Sequence, residues 1–161
     1  AVPAATTLAV CAAPVVGAFL RERCPDAVLL GPDAESRQWV STAATAAGLD
    51  FAVAAKTRHD DRDVSIDLPE RTWMGTHVVL VDDVASSGRT LAQTALALYA
   101  AGAARVDAVV THALFAGDAL AVVEAAGIRQ LWSSDTIAHP SNAFSLAPTL
   151  ADVLPVLAGG S

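Results

Sequence analysis

The chain has 161 residues, 53% of them hydrophobic, and a formal net charge of −7. That length suffices for one domain with a buried core, and a mean hydropathy of +0.45 excludes a disordered chain. The acidic balance argues against a nucleic-acid surface, and charges, Pro and Gly interrupt every apolar run before it reaches the length of a membrane span. Two cysteines, Cys11 and Cys24, are too few for a disulfide framework; they are expected to be reduced, as in a cytoplasmic protein, and no Cys/His spacing suggests a structural zinc site.

Ala1–Cys11 reads as a linker or edge segment. Pro14–Arg23 is predicted to be a helix with Val15, Phe19 and Leu20 on one face, broken at Pro25-Asp26. Ala27–Leu30 is a short buried strand that leads to Gly31-Pro32-Asp33. A helix follows from Glu35 to Ala47, and Gly48 stops it. The next strand, Asp50–Ala55, delivers Lys56-Thr57-Arg58-His59 at its end. Val64–Leu68 alternates as a solvent-facing strand does, and it is expected to form a hairpin or flap with the charged run Asp60–Asp63. His77–Val81 is a buried strand, Thr90–Ala101 a helix, Arg105–Thr111 a strand ending at His112, and Asp118–Ala126 a helix stopped by Gly127. Ile128–Trp132 is the last strand, followed by Ser134-Asp135-Thr136 and a loop at His139–Asn142. Leu146–Leu157 closes the chain as a helix, with Pro148 in its first turn. Strands alternating with helices predict an α/β fold with a mainly parallel central sheet flanked by helices. Ligands of such sheets bind beyond the carboxyl ends of the strands. Asp33, Lys56, Arg58, Asp82, Asp83, His112 and Asp135 all fall at such ends.

The most informative stretch is Val78–Thr90, Val-Val-Leu-Val-Asp-Asp-Val-Ala-Ser-Ser-Gly-Arg-Thr. A buried strand runs into two carboxylates, Asp82 and Asp83, then a small-residue turn, then a helix start. Backbone N–H groups of the turn and the positive end of the helix suit a phosphate. The carboxylates would repel that phosphate at close range, so they suit the far end of the ligand, where sugar hydroxyls donate and a divalent metal can sit. Of the ten basic residues only Lys56 is a lysine, a compact point charge where the rest of the chain uses arginine. Asp-Asp after a strand also occurs in ATPases and receiver domains. The first needs a Gly-x-x-x-x-Gly-Lys-Ser/Thr loop and the second a later lysine, and this sequence has neither. The bland alternatives are an acid pair that caps the turn and a solvated Lys56/Arg58 loop. His77 and the three tryptophans read as structural, Glu35 as a first-turn helix acid, and Asp135 as a turn cap.

Val78–Thr90 resembles the sugar-phosphate motif of type I phosphoribosyltransferases and of ribose-phosphate diphosphokinase (phosphoribosyl pyrophosphate synthetase). Three further elements are similar to the synthetase: Gly31-Pro32-Asp33-Ala34, Lys56-Thr57-Arg58, and Thr111-His112 followed by Ser134-Asp135-Thr136. The resemblance implies a phosphoribosyltransferase-like fold and a cytoplasmic transferase of nucleotide biosynthesis. Diphosphate would move from ATP to C1 of ribose 5-phosphate, giving phosphoribosyl pyrophosphate and AMP. It further implies that Asp82 and Asp83 hold ribose hydroxyls or Mg2+, that Ser86, Ser87, Gly88, Arg89 and Thr90 cradle the 5-phosphate, that Asp33 binds Mg2+, and that Lys56 and Arg58 are catalytic. On this basis residues 1–13 are a linker from an N-terminal domain that would supply most of the ATP site, and 56–75 are a flexible catalytic loop or flap. The family's habit of assembling implies a homo-oligomer. The sequence departs from the family at Ser86, where the synthetase has Asp, and at Glu35-Ser36, where it has small residues and Gly. Two other readings stand beside this one: a phosphoribosyltransferase acting on a nucleobase, and a non-catalytic relative that binds a sugar phosphate or regulates a partner.

Overall fold

The computed structural model describes residues 9–58 and 64–158. Of the expected linker, residues 1–8 lie outside the described residues, as do residues 59–63 of the expected flap. Helix α1 (Ala13–Arg23) leads to strand β1 (Val28–Gly31), a single 3₁₀ turn (Ala34–Ser36) and α2 (Arg37–Ala47). Strands β2 (Phe51–Val53), β3 (Ala55–Arg58), β4 (Val64–Asp67) and β5 (His77–Ala85) follow. The rest is α3 (Arg89–Ala100), β6 (Arg105–Ala113), α4 (Ala119–Ala125), β7 (Leu131–Ser134), β8 (Asn142–Phe144) and α5 (Ala147–Ala158). Six strands form one sheet in the order β2-β1-β5-β6-β7-β8, parallel at every junction. Strands β3 and β4 leave it as an antiparallel hairpin.

Strand residues alternate between two cores, because successive side chains point to opposite faces. Val28, Leu30, Val78, Leu80, Val106, Ala108 and Val110 meet α3 through Leu91, Ala92, Ala95 and Leu98. Leu29, Val79, Val81 and Val109 meet α1 and α2 on the other face. Helix α1 turns Ala13, Val16, Gly17 and Leu20 inward rather than the expected Val15 and Phe19. Gly17 explains the rotation. A Cβ there would stand 2.7 Å from the Cβ of Ala46 and closer still to the Ala43 carbonyl, so the bare backbone lets α1 lie against α2. Phe19 instead packs sideways, its ring 5.6 Å from Trp132 and 5.0 Å from Phe144.

Other departures have local causes. The expected strand Asp50–Ala55 divides at Ala54, where the chain turns from the sheet into the hairpin. Strand β5 runs four residues past Val81 because β6 is equally long and pairs with it as far as Ala85↔Ala113. Strand β7 begins later than expected and continues through Ser133 and Ser134. Both serines are fully buried, satisfied by Ser141 Oγ at 2.7 Å and the Thr111 carbonyl at 2.7 Å. Strand β8 was not expected; it has only three residues, and Asn142 is tied to Ser133 Oγ at 2.9 Å and to the Ile137 carbonyl at 3.0 Å.

At the opposite end of the sheet from the strand C-termini, Asp107 is a fully buried carboxylate. Its Oδ2 lies 2.8 Å from His77 Nε2 and 2.8 Å from Arg105, and its Oδ1 accepts the Gln130 N–H at 3.1 Å. Cys24 stands beside it, and Cys24, His77 and Asp107 hold ligand-type atoms within 4.8 Å of one another. Arg105 already neutralises the carboxylate, so the group works as a paired hub joining β5, β6 and the approach to β7. Burial raises the Cys24 thiol pKa, with the Asp107 charge adding to it. Asp107→Ala is expected to cost about 2–3 kcal/mol in urea denaturation. That is below the about 3–5 kcal/mol typical of a fully buried pair, because Arg105 can turn to solvent.

Candidate functional site

The sheet order creates the site. From β1 the chain crosses by α2 to β2 on one side. From β5 it crosses by α3, on the other face, to β6 on the opposite side. Above the carboxyl ends of neighbouring β1 and β5 no crossover among the described residues covers the edge, and an open α/β sheet binds its ligands at such a switch point. Asp33 leaves β1 there, and Asp82 and Asp83 stand on β5. The three line one pocket together with Glu35, Ser36 and Trp39.

Each acid is oriented by a backbone N–H. Asp33 Oδ1 accepts from Ser36 N at 3.1 Å, and the Ser36 hydroxyl donates back to the Asp33 carbonyl at 2.5 Å, which caps the 3₁₀ turn. Gly31 is required beneath this turn, since a Cβ would collide with Ser36 Oγ. Asp82 Oδ1 accepts from Asp83 N at 2.9 Å, and Asp83 Oδ1 accepts from Val84 N at 2.7 Å. Burial pushes the Asp82 carboxyl up to about 7; the Asp83 N–H opposes the shift, and the charges of Asp83 and Asp33 add to it. Burial, with a smaller contribution from the neighbouring carboxylates, thus leaves Asp82 holding its proton close to neutrality, and a divalent cation would favour its ionised form.

Asp82 also borders a second pocket, lined by Ser86, Ser87, Gly88 and Thr90. Gly88 caps α3 with φ +67°. A Cβ there would meet Val123 Cγ2 at 2.7 Å and the Ala119 carbonyl at 2.9 Å, because α4 closes in behind the loop. Glycine is needed both for the left-handed turn and for the close approach. The loop thus opens on the first turn of a twelve-residue helix, where unpaired N–H groups and the helix dipole favour an anion. Arg89 opens that helix, and its side chain borders a separate apolar groove with Ala92, Leu96 and Val122. Its backbone N–H donates within the loop, to Ser87 Oγ at 3.5 Å.

The hairpin brings Lys56 to this loop, its Nζ 3.4 Å from Thr90 Oγ1. The backbone of Arg58 ends β3, paired with Val64. His112 on β6 lies 2.8 Å from Thr136 Oγ1 through Nδ1. Asp135 is exposed and caps the chain before α5, accepting from Leu146 N at 3.0 Å; hydrogen bonds from Ser145 and then Leu146 lower its pKa. Sequence reasoning missed Glu35 and Trp39 as pocket residues. The one signal was their position just after Asp33, which helical periodicity reads equally well as solvent and core.

A strand that carries an acid pair near its carboxyl end and turns through a glycine-capped loop into a helix, on a sheet of this order, defines an α/β domain of the phosphoribosyltransferase class. Residues 18–124 match the phosphoribosyl transferase domain family, and the chain belongs to that family. It is 34% identical over 152 residues to a ribose-phosphate pyrophosphokinase of Methanopyrus kandleri, covering 93% of this chain and 52% of the relative. Ribose-phosphate pyrophosphokinase 1 of Archaeoglobus fulgidus is 36% identical over 135 residues, which is 84% of this chain and 47% of the relative. The solved phosphoribosylpyrophosphate synthetase from Mycobacterium smegmatis shares the fold with a TM-score of 0.75 at 22% identity, over 93% of this chain and 51% of that one. The resemblance read from the motifs is borne out. The chain spans about half the length of the relatives it matches.

Two outcomes follow from the geometry. Asp82 binds its proton more tightly folded than unfolded. Stability without a divalent cation is therefore expected to fall as pH rises from about 4 to about 7 and to level off above, since the folded state binds more protons across that window. Asp82→Asn should flatten this slope and exceed the wild type in urea midpoint at about pH 8. Gly88→Ala should lower stability by about 1–3 kcal/mol in the same assay, through a strained φ and a clash with α4.

Proposed function

We propose that this domain holds ribose 5-phosphate and works as the C-terminal half of a ribose-phosphate diphosphokinase, transferring diphosphate from ATP to the C1 hydroxyl and releasing AMP. The observation that carries this reading is the contact of Lys56 with Thr90, which puts a cation from the hairpin at the edge of the anion loop. The ribose-phosphate pyrophosphokinase relatives support it.

In this reading the N–H groups of Ser86–Thr90 and the hydroxyls of Ser86, Ser87 and Thr90 take the 5-phosphate. Asp82 lies between the two pockets and, with Asp83, accepts from the ribose hydroxyls. The remaining carboxylate oxygens of Asp33, Asp82 and Asp83 suit Mg2+, which when bound supplies charge neutralisation for the transferred diphosphate. The C1 hydroxyl oxygen attacks the β-phosphorus of ATP and gives up its proton to solvent, the bond from that phosphorus to the α–β bridging oxygen breaks, and AMP leaves with the bridging oxygen. Lys56 stabilises negative charge that grows on the transferred group, and Arg58 is assigned the same role from its place in β3. Phosphoryl transfer depends on such positioning and electrostatics more than on covalent help from the protein. The β3–β4 hairpin acts as the flap that closes over the ligand. The other half of a chain of the relatives' length supplies most of the ATP site, and the assembled protein is a cytoplasmic homo-oligomer.

One feature favours a second reading. Ser86 stands where the synthetase has Asp, which fits a non-catalytic domain that binds the sugar phosphate alone. An assay of the full-length protein, with both halves present, with ATP, ribose 5-phosphate and Mg2+ separates the two by AMP release. Under the first reading Lys56→Ala lowers AMP formation by about 10²–10³ while ribose 5-phosphate still binds. AMP formation that survives Lys56→Ala unchanged, or a protein that does not bind ribose 5-phosphate, would sink it. Saturable binding without AMP establishes the second.

A further inference from the structure

We infer that Phe115 is a positioning residue for the phosphate loop, an inference that rests on the reading of that loop as a sugar-phosphate site. An anion site made of backbone must turn its N–H groups to the ligand and keep its carbonyls away from it. Here the first carbonyls of the loop are held from behind. The N–H groups of Leu114 and Phe115 both donate to the Ala85 carbonyl, at 3.1 and 2.9 Å, and the N–H of Ala116 donates to the Ser86 carbonyl at 3.0 Å.

Three consecutive N–H groups can reach two adjacent carbonyls only where the chain bends sharply. The bend falls at Phe115, whose φ is +32°; among the described residues no other non-glycine has a positive φ. A bulky residue resists that conformation, so its surroundings must hold it there. The ring does this from two sides. It packs against the core on the α3 face, and it stacks on His139 with centroids 5.2 Å apart. His139 is fixed in turn, its Nδ1 2.7 Å from Ser141 Oγ. The ring is the anchor, the backbone is the bend, and the tied carbonyls are the result. Phe115 does not line the phosphate pocket, so it acts through the loop.

Two substitutions separate this role from plain packing. Phe115→Ala loses the anchor and still disfavours the bend, so the clamp opens. Phe115→Gly loses the same ring but adopts a positive φ freely, so the clamp can persist. Amide hydrogen exchange of Ser87, Gly88 and Arg89 and calorimetric binding of ribose 5-phosphate are measured in both variants and the wild type. Phe115→Ala is expected to speed exchange and weaken binding by roughly tenfold each, while Phe115→Gly stays within about threefold of wild type in both. A glycine variant as impaired as the alanine variant, or more so, overturns the inference, because packing alone predicts that order. If the wild type does not bind ribose 5-phosphate, the sugar-phosphate reading fails and the exchange rates alone still decide the role of Phe115. Should Phe115→Ala not fold, Phe115→Leu replaces it, since leucine keeps apolar bulk and still resists the bend.

Discussion

The parallel pairing of β1 with β5 is the constraint on which the rest depends. Val28, Leu29 and Leu30 stand in register with Val78, Val79 and Leu80, and all six side chains are buried. Neither strand could be moved by one residue without sending its inward set to the wrong core. That register fixes how far each chain projects beyond the sheet, and so sets Asp33 beside Asp82. The crossovers from the two strands run to opposite sides, so hydrophobic burial on both faces leaves one uncovered edge. The same apolar contacts that stabilise the sheet therefore define the crevice.

An electrostatic conflict follows from that placement. In the proposed function the loop attracts an anion, yet it begins at the end of a strand that carries two carboxylates. The structure separates the two by direction. Asp82 and Asp83 each spend one oxygen on the next backbone N–H, which aims the acids toward Asp33. The loop's amides open on the other side of Asp82, at the start of α3. Burial raises the pKa of Asp82, and the charges of Asp83 and Asp33 add to the shift. A ligand with hydroxyls at one end and a phosphate at the other fits both sides, and a metal lessens the repulsion among the acids.

Much of this was legible in the sequence because the main signals are local. A run of branched apolar residues, an acid pair, small residues and a glycine specify a strand, a site and a helix start within Val78–Thr90. Less legible was whatever tertiary contacts determine. Ser133 and Ser134 look like loop, and they are strand because Thr111 and Ser141 satisfy their hydroxyls. Phe19 has the right helical spacing for the α1–α2 seam, and Gly17 gives that seam to smaller neighbours instead. Asp107 sits in a strand that reads as apolar, and only folding brings Arg105 and His77 to pair with it. Phe115 carries no sequence signal for its bend, since a left-handed backbone at phenylalanine is produced by its packing and not by its own preference.

The two departures from the synthetase pattern become intelligible when charge is counted by place. Ser86 removes a carboxylate from the loop proposed to hold the phosphate. Glu35 adds one, and the structure places it in the pocket with Asp33, Asp82 and Asp83. Relative to the pattern the number of acids around the site is unchanged, but one has moved across Asp82, from the anion side to the cation side. An aspartate at position 86 would lie in the same pocket as the loop amides and would compete with an incoming phosphate for their N–H groups. A serine there keeps a hydrogen-bonding hydroxyl without the charge. Coulomb repulsion falls off with distance and is weakened further by solvent, so a carboxylate on the exposed Glu35 opposes phosphate binding less than one in the loop itself. It lines the same pocket as Asp33, where a divalent cation, if bound, would offset both charges. The exchange sharpens the division between the two ends of the site.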